Sequence, residues 1–146
     1  MALQELKAIE DFLKAVDESF PVALSQKQDL KALALKFYEK ATVCKIEQDR
    51  KILAMVAGYT ENVVNNTAYI SVVATLPEAY GKGYASSLVC EFIEICRQKR
   101  LKGVHLYCVP TNTAAMAMYK KLGFEKYFVP DEPRPNDAHF IYYITE

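Results

Sequence analysis

Apolar side chains at Leu3, Leu6, Ile9, Leu13 and Val16, with Phe12 beside them, recur every three or four positions. That repeat lines one face of a helix and predicts one over 2–17. Phe20-Pro21 breaks it, because proline brings no N–H to the next turn. Ser25 and Gln28 stand at capping-box spacing and open a second helix striped by Leu30, Leu33, Ala34 and Phe37. The pattern then changes. Residues 41–48 and 51–60 read as strands joined by the polar turn Gln48-Asp49-Arg50, and Asn62 to Asn66 form the next turn. Thr67 to Leu76 is nearly continuous apolar sequence (Ala68, Ile70, Val72, Val73, Ala74), as a central strand covered on both faces requires. Pro77 ends its pairing.

Helical spacing returns over 82–100, with Leu88, Val89, Phe92, Ile93 and Cys96 on one face and Arg97, Lys99 and Arg100 at the end, where cations complement the helix dipole. Val104 to Val109 is a strand. Thr111-Asn112-Thr113 supplies cap chemistry for a helix running to Leu122, and Gly123 takes the position just past its end. Residues 124–129 and 139–144 are the last strands, separated by a loop with Pro130, Pro133 and Pro135. The order ααβββαβαββ predicts an α/β fold, a mixed sheet with helices on both faces. No internal repeat, low-complexity tract or Gly/Ser linker divides the chain, so residues 1–146 are expected to form a single domain.

Lys plus Arg balance Asp plus Glu at 18 each. A nucleic-acid partner, whose phosphates demand a basic patch, is therefore not expected. No apolar stretch reaches membrane-spanning length. Met1 to Glu10 carries acids and no apolar segment of the kind a secretory signal needs. A cytoplasmic protein without a membrane partner is the expectation. The four cysteines, Cys44, Cys90, Cys96 and Cys108, have neither CxxC spacing nor histidines at ligand spacing. They read as reduced core thiols, with no metal site.

The chemistry concentrates in Leu76-Pro77-Glu78-Ala79-Tyr80-Gly81-Lys82-Gly83-Tyr84-Ala85-Ser86, a strand end, a glycine turn and a helix start. Glycines let an anion approach the backbone, and the unpaired N–H groups of a first helical turn point at it. The spacing fits neither a Walker loop nor a dinucleotide fingerprint. It resembles the pyrophosphate loop of the GCN5-related N-acetyltransferases, which bind acetyl-coenzyme A. A second motif strengthens the likeness: Asn112-Thr113-Ala114-Ala115-Met116-Ala117-Met118-Tyr119-Lys120-Lys121-Leu122-Gly123-Phe124, with Asn seven residues before Tyr and then Gly-Phe. The resemblance spans residues 40–146.

The resemblance implies an acyl-CoA N-acyltransferase fold with a mostly antiparallel sheet, no metal, and acetyl transfer directly to a primary amine. The acceptor would be a small molecule or a peptide, and a homodimer is possible in such families. Backbone groups of Val73, Ala74 and Thr75 would pair with the pantetheine amides like an added strand. Tyr80, Gly81, Lys82, Gly83, Tyr84, Ala85 and Ser86 would hold the pyrophosphate, with Tyr80 standing where the family usually has Arg or Gln. Asn112, otherwise a helix cap, would touch the cofactor. Tyr119 would protonate the departing thiolate, a transfer its ordinary pKa near 10 permits.

The family often places a carboxylate base at positions that fall here on Tyr69 and Tyr107. Alternation sets His105 on the same face as Tyr107. His105, directly or through water, or a water chain ending in Glu61, Glu78 or backbone carbonyls, can take the proton, and no base is assigned. Cys108 invites a covalent, ping-pong route; alternation puts it on the opposite face, toward the helices, and the resemblance implies direct transfer between bound substrates instead. Walls for the acceptor are expected from Phe20, Pro21 and Val22 and from loop 130–138, whose Asp131, Glu132 and Asp137 can attract a cation. Two rivals stand: a non-catalytic acyl-CoA sensor on the same fold, and an unrelated phosphate-binding or protein-interaction domain.

Overall fold

The computed structural model describes residues 2–19, 25 and 28–145. Helix α1 (Ala2–Val16) runs into a 3₁₀ turn (Asp17–Ser19), and α2 (Leu30–Lys40) follows. Strands β1 (Thr42–Gln48), β2 (Lys51–Tyr59) and β3 (Thr67–Thr75) form an antiparallel meander. Then come α3 (Tyr84–Gln98), β4 (Gly103–Cys108), α4 (Thr113–Leu122), β5 (Glu125–Lys126) and β6 (Ala138–Tyr143). Among the described residues six strands lie in the order β1-β2-β3-β4-β6-β5, and only β3 and β4 pair in parallel. The expected α/β class, element order and mostly antiparallel sheet are all present. Among the described residues no helix is long and apolar enough to cross a membrane.

Each helix buries the stripe its periodicity marks. Ile9, Phe12, Leu13 and Val16 of α1 and Leu30, Leu33, Ala34 and Phe37 of α2 pack on Ile52, Met55, Ala57 and Val72, one face of the sheet. Leu88, Val89, Phe92, Ile93 and Cys96 of α3, with Tyr119 of α4, pack on Ala54, Val56, Ala68, Ile70, Val104 and Leu106, the other face. The middle of β2 is buried on both sides, which is why its sequence shows no alternation. The β1–β2 turn is a two-residue loop with Asp49 and Arg50 at φ 53° and 65°, the geometry whose twist matches a hairpin.

Four local expectations shift. α2 starts at Leu30, and its cap is Asp29, whose carboxylate accepts from the Lys31 N–H at 3.1 Å. Ser25 does not cap it; its N–H and hydroxyl both donate to the Asp17 carboxylate, at 2.8 and 2.6 Å. α3 starts at Tyr84, two residues late, because Gly83 takes a left-handed conformation at the cap. The strand expected over 124–129 contracts to Glu125–Lys126. The Phe124 N–H closes the end of α4 on the Tyr119 carbonyl at 2.9 Å and is lost to the sheet. The break at Phe20-Pro21 lies outside the described residues.

Two features of β3 shape the centre of the sheet. Ala57 pairs with Val72 but Gly58 with Ile70, so Ser71 is an extra residue, a bulge. It turns the strand over: Ala68 and Ile70 face α3, whereas Val72 faces α1 and α2. Beyond the bulge β3 also leaves β4. Their ladder runs only from Thr67↔Gly103 to Ile70↔Leu106. Past it β3 continues along β2, while Tyr107 and Cys108 continue along β6. The sheet is forked.

Candidate functional site

A cavity of about 520 Å³ opens at the fork. Its three walls are the end of β3 (Val73, Ala74, Thr75), the loop and first turn of α3 (Ala79, Tyr80, Gly81, Gly83, Tyr84, Ala85, Ser86), and α4 (Asn112, Ala114, Ala115, Met118, Tyr119). Every residue singled out as a cofactor or catalytic position therefore lines one space, with one exception. Lys82 is exposed, its ammonium 6.0 Å from the centre of the Tyr84 ring.

The loop wall is built from backbone. Gly81 and Gly83 have φ of 80° and 75°, values that cost an L side chain about 1–2 kcal/mol. A Cβ at either would meet nothing within 4 Å, so the backbone here borders open space. No side chain caps α3, and its first internal bond is Ser87 N–H to the Gly83 carbonyl at 3.1 Å. The N–H groups of Tyr84, Ala85 and Ser86 thus have no helical acceptor and sit at the positive end of a 15-residue helix. This is a place for a polyanion. The strand wall adds a second kind of donor and acceptor. Among the described residues, β3 from Val72 to Thr75 is paired on its β2 side only, and its other edge is a template for an extended amide chain.

On α4, Asn112 is a true cap, its Oδ1 accepting the Ala115 N–H at 3.3 Å. Tyr119 is 5% exposed and packs on Phe124 and Phe140 at 5.5 and 6.1 Å between ring centres. Burial, with Cys108 nearby, pushes its phenol well above the ordinary tyrosine range; it stays protonated but is a weaker acid than the ordinary phenol expected from sequence. Cys108 lies on the α3 and α4 side, as alternation places it. Burial raises its thiol too, and Sγ donates to the Val109 carbonyl at 3.6 Å; a protonated thiol is a poor nucleophile.

α1 and α2 cover the other face over β1, β2 and the far half of β3, where Val72 joins their core. Over β4 and β6 that face carries a ring cluster instead. Tyr69 and His105 are register partners, 5.1 Å apart between ring centres, and Tyr107 stacks on His139 at 4.0 Å. His105 Nδ1 lies 2.8 Å from His139 Nε2, and His139 Nδ1 lies 2.7 Å from Glu132 Oε2. The Tyr107 hydroxyl donates to Glu132 Oε1 at 2.5 Å, and the Arg134 guanidinium sits 5.0 Å over the Tyr107 ring. Desolvation, then the neighbouring His139, pulls His105 down to about 4. Partial burial pushes Glu132 up, but the bonds from Tyr107 and His139 outweigh it and hold the carboxyl below the usual range.

Of the acids named from sequence, only Glu132 enters this cluster. Glu61 is held by Lys99 at 2.5 Å and Glu78 by Lys51 at 3.0 Å, both in exposed pairs. Phe20, Pro21 and Val22 lie outside the described residues. The member that sequence reading missed is His139. Its signal was present, since it alternates with the buried Phe140 and so shares a face with its register partner Tyr107.

Comparison with known proteins agrees with this fold. An acetyltransferase structure of the GNAT family from Staphylococcus aureus Mu50 superposes with a TM-score of 0.75 at 12% identity, over 96% of this chain and 93% of that one. The PaiA N-acetyltransferase of Thermoplasma acidophilum, solved in complex with coenzyme A, superposes with a TM-score of 0.70 at 14% identity, over 96% and 95% of the two chains. The mycothiol acetyltransferase of Renibacterium salmoninarum is 36% identical over 58 residues, 40% of this chain and 17% of that protein. The family model for the GNAT acetyltransferases matches residues 8–124, and the chain belongs to that family.

Proposed function

We propose that this protein transfers the acetyl group of acetyl-CoA to a primary amine, with both substrates bound together. The observation that carries the reading is the shared cavity: the uncapped start of α3, the free edge of β3 and Tyr119 of α4 all face one space. In it the backbone N–H groups of Gly81 to Ala85 would hold the pyrophosphate, Val73 to Thr75 the pantetheine amides, and Asn112 a further contact. Tyr80, exposed and uncharged, leaves phosphate binding to the backbone. Bound acetyl-CoA supplies an activated thioester. Tyr119, kept protonated by its burial, hands its proton to the sulfur as the acyl group leaves. A polarised carbonyl oxygen is stabilised by preorganised N–H groups at the strand end.

A non-catalytic acyl-CoA sensor is the second reading, favoured by Tyr69 and Tyr107 at the two strand positions where the family often has a carboxylate. Coenzyme A at 100 times its dissociation constant should stabilise the fold by about 2.7 kcal/mol under either reading. Thiol release from acetyl-CoA with a panel of amines separates them. Under transfer, Tyr119→Phe should slow release about 10²-fold while leaving coenzyme A affinity intact. Binding without release from any amine, unaltered by Tyr119→Phe, supports the sensor.

A further inference from the structure

The chain holds only two histidines, and they are bonded to each other. Glu132, an anion held below the usual carboxyl range, can only accept, so His139 Nδ1 carries a hydrogen toward it. A neutral His139 then presents a lone pair at Nε2, and His105 must donate to it from Nδ1. That leaves the lone pair of His105 on Nε2. This atom has no hydrogen-bond partner among the described residues, and it is not among the buried polar atoms that lack one. One carboxylate thus sets the tautomer of two rings and exposes a basic nitrogen at the far end.

We infer that Glu132, His139 and His105 form a proton relay that deprotonates the acceptor amine, with His105 as the group that meets the amine. The inference deepens the acetyl-transfer reading and rests on it. An alkylammonium, with an ordinary pKa near 10.4, has no lone pair with which to attack. It gives its proton to His105 Nε2. The hydrogen on His105 Nδ1 crosses to His139 Nε2, and His139 keeps its Nδ1 hydrogen on Glu132. The amine is left neutral with a free electron pair, and the charge rests on His139 beside the carboxylate. His105 ends neutral, with its hydrogen on Nε2.

The relay explains why two rings are used. His105 is too desolvated to keep a positive charge, but His139 has an anion against it at 2.7 Å. The location also fits. Tyr69↔His105 is the last pair but one before the fork, so His105 stands one pair from the point where β3 and β4 part, on the face of the sheet turned away from α3 and α4. The groups facing the relay are Tyr69 of β3, Tyr107 of β4, Tyr127 after β5, and Glu132 and Arg134 of the loop. Tyr59 and Asp137 act on Tyr69 from further out.

The test is nitrogen NMR of wild-type protein labelled with ¹⁵N-histidine, followed as pH falls. At high pH both rings should carry hydrogen on Nδ1. On uptake of the first proton, His105 should switch its hydrogen from Nδ1 to Nε2 while His139 becomes doubly protonated. A His105 that is doubly protonated first, or that keeps one tautomer throughout, overturns the relay. So does His139 with its hydrogen on Nε2 at high pH. A second measurement reads acetyl-CoA thiol release with spermidine, glucosamine, a lysine peptide and an alanine-initiated peptide. Glu132→Gln should lower the plateau of kcat/KM about tenfold and move its acid limb to lower pH, with coenzyme A Kd unchanged. An unaltered pH profile overturns the relay. Wild-type protein that binds coenzyme A yet releases no thiol with any amine overturns the transfer reading itself, and the relay loses its task whatever the tautomers are.

Discussion

Thiol placement shows how much a single residue's surroundings decide. The four cysteines read alike in sequence, as core thiols, but Cys90 is exposed while Cys44, Cys96 and Cys108 are buried. Burial pushes Cys44, with Glu91 beside it, and Cys96 both up to about 12. A thiolate is the reactive form. One equivalent of thiol should therefore react quickly with a disulfide reagent in the native protein and four after denaturation, and Cys90→Ser should remove the fast equivalent. Two fast equivalents would show that a second cysteine is accessible. The residues lining the cavity and the ring cluster separate along the same line. The cavity's loop and α4 walls were legible because each motif is short and local. The contact of Glu132, His139 and His105 was not, because they come from a loop and two strands and meet only in the fold.

At the scale of elements, periodicity carried most of the reading. α1, α3 and the long strands show their buried face in every turn or alternate residue. Failures came where a local signal met a competitor. Ser25 and Gln28 satisfy a capping pattern, but Asp17 takes Ser25 and the adjacent Asp29 caps α2. The bulge at Ser71 has no signature, since a serine between two apolar residues reads as ordinary strand. Gly58 is another silent position. A Cβ there would lie 2.6 Å from both the Phe92 ring and the Tyr69 carbonyl, so α3 rests directly on β2. Gly58→Ala should cost about 2 kcal/mol through overpacking, read as a lower midpoint of chemical denaturation. An unchanged midpoint would mean that α3 lifts away at no cost.

For the whole molecule, pH sensitivity follows from His105. Its pKa in the fold is about 4, against an ordinary 6.5. Between those values the unfolded chain binds more protons than the folded one, so stability rises with pH across the window. His105's contribution is complete above pH 6.5 and is lost as pH falls toward 4. Glu132, held ionised in the fold, adds a loss of the same sign at lower pH. The melting temperature should decline from pH 6.5 downward, and His105→Gln should flatten the decline between pH 6.5 and 4. An equally steep curve in that variant would assign the effect elsewhere.

The fork also has a mechanical meaning. Among the described residues four pairs lace the β1–β2–β3 blade to the β4–β6–β5 blade, with α3 packed across β1 to β4. A ladder that short should open before the β1–β2–β3 meander melts. Amides of Ile70 and Leu106 should exchange hydrogen faster than those in the middle of β2. A ligand gripping β3, α3 and α4 at once would act as a clamp across the seam, so coenzyme A should slow exchange at these two amides more than anywhere in β1. The same gap that admits the cofactor would then be the gap the cofactor closes.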